Sequence, residues 1–304
     1  MARSRIIRYL IPTTSLMFGT FQSFLQSVDT QYYIYKYGLI SNPDTKIGIE
    51  NSQFKKNKHA HLIINQAFSD AGCKGKVYFD VDMYDSDNMC TTAIYKLGTK
   101  TEAFVGTSKK TINENSDEVI YAMAAHEAFH IKHHHGFIKN FLYMYLYLSL
   151  PFLFFNAPKK IMDPLIKSNI KNRLFYKSSL RTLSCSSAII AFSIADYLYN
   201  QVEKLCEIDA NVSAAIKLGV PSLLIAYFNK DLKNTANQGR NFYSDSEYHT
   251  HPHPNTRINY LSFLEKTGIS NTPLLYKSET YHNILKEREI NSQIKDNKSS
   301  KLTL

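Results

Sequence analysis

A strand, a hairpin and a capped helix, in that chain order, predict an α+β fold, mostly helical with a small antiparallel sheet. Lys76–Asp82 (KVYFDVD) alternates apolar and polar residues, as a half-buried strand does. Thr92–Leu97 and Ala103–Gly106 read as two more strands, joined by a loop that contains Gly98. The stretch SDEVIYAMAAHEAFHIKHHH that follows has helical character, and the βαβ alternation of a parallel sheet is missing.

Composition bounds the class. The 304 residues are 44% hydrophobic and 20% charged, which excludes collagen-like, coiled-coil and wholly disordered chains. The length suits one large domain or two small ones. Cys73, Cys90, Cys185 and Cys206 are too scattered for a disulfide framework, and no C-x-x-C pair exists to build a cysteine zinc site. The net charge of +10 suits nucleic acid, anionic lipid or merely a Lys-rich proteome. No nucleic-acid recognition module accompanies it, so no nucleic-acid partner is expected. Nucleotide-binding glycine loops and the G-x-S-x-G elbow are also absent from the sequence.

Taken in order, residues 1–28 open with Arg3, Arg5 and Arg8 and then carry no charge over residues 9–28. They read as a membrane anchor or signal segment, with an amphipathic surface helix as the alternative. Residues 29–289 form the main domain. It begins with a polar stretch holding helical patches such as HLIINQAF, and His59 and His61 are read as surface residues. Asn115 with Glu118 three positions on makes a capping box for the long helix, and Gly136 is its natural stop. His133, His134 and His135 then read as a solvated helix end favoured by the dipole.

Residues 140–198 form an apolar helical hairpin. Its uncharged runs, 140–158 and 182–195, flank a loop at 159–181 with seven Lys/Arg against one Asp. The first run is about long enough to cross a bilayer; a buried hairpin in a soluble core is the alternative. A helix over 197–218 ends at Gly219 with Pro221 beyond it. Residues 290–304 are polar, Lys-rich and expected to be a disordered tail.

The chemistry concentrates in His126-Glu127-Ala128-Phe129-His130, an HExxH motif. Residues four apart share a helix face, so both imidazoles can reach one zinc ion. Glu127, one step round, can act as general base on a metal-bound water. The neighbours Met123, Ala124 and Ala125 are apolar, and a buried His, Glu and His there would be costly without a metal to pair them. A third protein ligand is needed, and QVEKLCEIDANVSAA offers Glu203, Glu207 and Asn211 on one face, with Asp196 on the same stripe.

HEAFHIKHHHG, an apolar hairpin and then EIDAN resemble the HtpX-like, CAAX-prenyl-endopeptidase-like and Oma-type zinc metalloendopeptidases. The resemblance implies a zincin-like domain with an apolar hairpin inserted between metal ligands. It implies one Zn(2+) per chain, held by His126, His130 and Glu207, with Glu127 as the catalytic base. The family's second-motif Asp is Asn211 here, which can accept a ligand histidine's hydrogen bond but carries no charge. SDNMCTTAIY and EAFVGTS resemble the family's substrate-pairing sheet edge, which implies that role for Asn88, Ala103, Phe104 and Val105. THPHPNTRINYL resembles the family's T-H-P-x-P-x-x-R segment and implies catalytic roles for His251 and Arg257.

The expected activity is zinc-dependent endoproteolysis of extended or unfolded segments of protein substrates, in membrane-associated quality control or processing. A catalytically weak zinc-binding scaffold or chaperone-like protein of the same fold is the alternative, motivated by Asn211. Positive segments stay on the cytoplasmic side. If all three apolar stretches span, the zinc ligands therefore share the non-cytoplasmic face of a bacterial inner membrane or its organellar equivalent.

Overall fold

The structure, a computed structural model, describes residues 2–36, 52–81, 89–95, 100–166, 173–237 and 251–301. In chain order the elements are α1 (Ala2–Lys36), α2 (Ser52–Asp70), β1 (Val77–Asp80), β2 (Met89–Ile94), β3 (Glu102–Thr107), α3 (Lys109–Glu114) and α4 (Asp117–Lys132). They continue as α5 (His135–Ile166), α6 (Arg173–Leu218), α7 (Pro221–Asn237), α8 (Pro254–Lys266), a 3₁₀ turn at Leu274–Lys277 and α9 (Glu279–Lys301). The architecture is mostly helical with one small sheet, the α+β class that the sequence predicts.

Contacts divide the chain into two units. One comprises Met1–Gln26 and His135–Leu205, together with His251; the other comprises Ser27–His134, Cys206–Tyr248 and Pro252–Leu304.

The second unit holds the mixed core. Its sheet has the order β1-β3-β2, with β3 antiparallel to β2 and parallel to β1. The all-antiparallel expectation is corrected here, and so is the position of β2, which lies three residues earlier than its pattern suggested. The reason is in β3: Ala103, Phe104 and Val105 are almost wholly buried, and a strand apolar on both faces belongs in the middle of a sheet. Gly98 lies outside the described residues.

On this sheet α2 and α4 pack through Ile63, Ile64, Ala67 and Phe68 on one helix and Tyr121, Ala125 and Phe129 on the other. Tyr121 donates from its hydroxyl to Asp70 Oδ2 at 2.7 Å, which satisfies the polar atom of an otherwise core residue. His61, expected at the surface, is buried instead: its Nε2 lies 3.2 Å from the Val77 carbonyl, and burial lowers its pKa. At the far end of the core, α7 and α8 meet through Leu224, Phe228 and Leu261.

Several helix boundaries differ from expectation, among them the start of α6, which lies at Arg173 rather than near residue 197. Ser116, not Asn115, caps α4, accepting from the Val119 N–H, while Asn115 closes α3. The helix ends at His133 because His134 takes a left-handed conformation (φ 56°), so Gly136 falls inside α5. His135 is buried, so the histidine run is not one solvated end. The tail expected to be disordered from residue 290 instead continues α9 to Lys301. Near its start that helix grips the N-terminus of α4: Arg288 pairs with Asp117 at 2.6 Å, and Tyr281 donates to Glu118.

Two glycines are demanded by backbone. Gly219 ends α6 in the left-handed region (φ 68°), where a Cβ would also stand 2.5 Å from the Thr272 oxygen. A Cβ on Gly75 would stand 1.9 Å from the Thr101 oxygen at the start of β3. Gly75→Ala is therefore expected to lower the thermal unfolding midpoint by the equivalent of about 1–3 kcal/mol. An unchanged midpoint would show that β3 can shift freely at this point.

The first unit is built differently. Within it α5 and the N-terminal part of α6 run antiparallel. Lys139 pairs with Glu203 at 3.7 Å, Tyr143 stacks edge-on to Tyr199, and the Tyr147 hydroxyl donates to Asp196 Oδ1 at 2.7 Å. α1 crosses α5 closely: a Cβ on Gly19 would meet Phe141 Cα at 2.8 Å, and Asn140 donates to both Ser23 and Gln26. The stretches His135–Ile161 and Tyr176–Leu218 are long and apolar enough to cross a membrane. Phe152, Leu153, Phe155, Ile189, Ile190 and Phe192 are each more than 40% exposed, so these helices are not buried in a soluble core.

Candidate metal centre

His126, His130 and Glu207 all fall in the second unit. α4 is a helix because Ser116 caps it, Asp117 and Glu118 sit in its first turn, and its interior is Ala-rich. The small residues at 122, 124, 125 and 128 let the helix sit deep in the core, which brings His126 and His130 inward on one face. Their Nε2 atoms are 3.1 Å apart and their rings meet edge-to-face.

The third member comes from α6. Glu207, 4% exposed, places Oε2 3.3 Å from His126 Nε2 and Oε1 3.3 Å from His130 Nε2. One carboxylate thus faces two imidazoles, a borderline-soft N,N,O donor set of the kind that suits zinc. These donor atoms all lie within 4.8 Å of one another. The other sequence candidates on the stripe are engaged elsewhere, Glu203 with Lys139 and Asp196 with Tyr147. Glu127 is half-buried and stands outside the cluster, next to His126 in the chain.

Arg257 supports Glu207 from behind. Its Nη2 is 3.3 Å from Glu207 Oε2, its Nε donates to the Pro252 carbonyl, and its guanidinium lies over the Phe228 ring. α8 begins at Pro254, with His253 accepting from the Asn255 N–H as its cap, so the T-H-P-x-P segment is a helix start that delivers Arg257. His251 belongs to the first unit and is not a member of the cluster.

Asn211, one turn beyond Glu207, is fully buried, and its Nδ2 donates to the Tyr260 hydroxyl at 2.8 Å. Burial pushes the Tyr260 phenol up to about 12, with the Glu207 charge adding to the rise and Arg257 and the Asn211 bond opposing it. Tyr260 therefore keeps its proton. The sequence reading passed over Tyr260, although it lies three residues past Arg257 on the same helix. It also passed over Asp209, whose carboxylate pairs with His133 at the end of α4.

The expected substrate edge changes place. Ala103, Phe104 and Val105 are paired on both sides, to β1 and to β2, and cannot receive another strand. Among the described residues the antiparallel edge is β2. Asn88, just before it, lies outside the described residues. None of the four cysteines forms a disulfide.

Residues 55–265 match the model of peptidase family M48. No curated protein and no solved structure matches the chain.

Proposed function

The chain belongs to peptidase family M48, and from that premise we propose that it is a zinc-dependent endopeptidase acting on extended segments of other proteins. The observation that carries this reading is the Glu207 carboxylate set against both HExxH imidazoles, 3.3 Å from each. His126, His130 and Glu207 would hold the ion. When bound, zinc supplies Lewis acidity toward a carbonyl and lowers the pKa of its water. Glu127 takes the proton released in the attack and delivers it to the leaving amine. Arg257, with Nη2 3.3 Å from Glu207 Oε2, holds that carboxylate in orientation. The edge of β2 pairs with substrate backbone, which recognises an extended chain whatever its side chains.

The purified protein is expected to carry one zinc per chain and to cleave an unfolded protein such as casein. o-Phenanthroline should abolish that cleavage, and added zinc should restore it. Chelator-resistant cleavage would overturn the reading.

The exposed apolar surface of the first unit supports a membrane-embedded hairpin, with the basic 159–181 segment on the cytoplasmic side and the metal centre on the other. In sealed vesicles a tag inserted near Asn169 should be reached by protease only from the cytoplasmic side. One near Asn291 should be reached only from the opposite side. Both tags on one side would overturn the topology and leave the peptidase assignment standing.

A further inference from the structure

Glu207 and Asn211 are one turn apart on α6, and Arg257 and Tyr260 are one turn apart on α8. The structure joins them rung for rung, Arg257 to Glu207 at 3.3 Å and Asn211 to Tyr260 at 2.8 Å. Glu207, Asn211 and Arg257 are each at most 8% exposed, so both rungs lie where a hydrogen bond is strengthened and a lost one is costly. We propose that Tyr260 is a positioning residue of the metal centre, acting on it through its hydrogen bond with Asn211. The inference rests on the metal-centre reading given above.

The geometry explains why one rung is not enough. A carboxylate at the end of a side chain sits about 6 Å from its helix axis, so a rotation of about 10° moves it roughly 1 Å. A displacement of that size at a reacting centre costs about 100-fold in rate. Packing of Ala210, Ala214 and Ala215 holds this part of α6 in the core, and the Arg257 rung adds a polar restraint at one point. The second rung, a turn further on, fixes the rotation and hence the side of the Glu207 carboxylate that meets the imidazoles.

The amide suits this rung. At residue 211 a donor is needed if the phenol oxygen is to accept, and Asn provides one without adding a charge. The Glu207–Arg257 pair therefore stays balanced. Tyr260 stays protonated and keeps its own O–H as a donor.

The bland alternative is that Tyr260 is a packing residue whose hydroxyl is incidental. Tyr260→Phe separates the two, because the ring is kept and only the rung is removed. The test uses the whole chain in detergent and measures zinc affinity by competition with a chromophoric chelator, with kcat and KM for an unfolded substrate at saturating zinc. Tyr260→Phe is expected to bind zinc about 10-fold more weakly or worse, the scale seen when a ligand's outer partner is removed, and to lower kcat with KM little changed. Asn211→Leu should match it, and the double variant should lose no more than either alone. Asn211→Asp, which can accept from the phenol, should recover most of what Asn211→Leu loses. That recovery should vanish when Tyr260 is Phe. Wild-type affinity in Tyr260→Phe, or full additivity in the double variant, overturns the inference and leaves the metal centre intact. A wild-type chain that binds no zinc overturns both.

Discussion

Glu127→Gln is expected to keep its zinc and to lose turnover by about four orders of magnitude or more. The amide has nearly the shape of the carboxylate, and Glu127 is not among the three side chains gathered at the centre, so the ligand set is untouched. What disappears is a group able to take a proton. General-base catalysis contributes about 10²–10⁴-fold, and the loss of a negative charge beside developing positive charge adds about a further 10²-fold. Metal content by mass spectrometry and single-turnover cleavage read the two halves separately. Near wild-type cleavage would show that another residue moves the proton.

Glu207→Ala is expected to cost the zinc itself. Its carboxylate pairs with both His126 and His130, and its removal also takes the ion-pair partner of the buried Arg257. An uncompensated buried charge of this kind costs about 3–5 kcal/mol, and a cation facing the site would repel the incoming ion as well. Apparent stability should therefore fall along with metal content. Glu203→Ala and Asp196→Ala are the controls, because Glu203 serves Lys139 and Asp196 serves Tyr147. If Glu203→Ala loses zinc while Glu207→Ala keeps it, the third ligand has been misassigned.

What could be read from the sequence follows the range of the interactions involved. His126, Glu127 and His130 were legible because their spacing lies within two turns of one helix, where sequence separation dictates geometry. Glu207 was legible only in part. Helical periodicity put Glu203, Glu207, Asn211 and Asp196 on one stripe, and the resemblance to known zinc peptidases chose among them. The strand order was not legible, since the insertion of β3 between β1 and β2 depends on pairings that no local pattern carries. His134 closed α4 in a left-handed turn where Gly136 was the obvious candidate, because tertiary context can hold a histidine in a conformation that propensity assigns to glycine. His61 and Tyr260 were missed for one reason. Each is an amphipathic side chain whose ring is buried and whose polar atom finds a partner far away in the chain, at Val77 and at Asn211.

The candidate ligands are far apart along the chain: His126 and His130 precede all of α5, and Glu207 follows most of α6. Holding one ion on these side chains would close a long loop. Closing a loop of this length removes on the order of 4 kcal/mol of conformational entropy from the unfolded chain, the scale of a disulfide in the same place. Stability and catalysis would thus hang on the same three atoms. The polymer physics also leaves the intervening segment loosely constrained, since doubling a closed loop costs only about 0.6 kcal/mol more. Between the second histidine and the glutamate, then, closure entropy sets little limit on the length of the connecting segment, and the limit comes from the helices themselves.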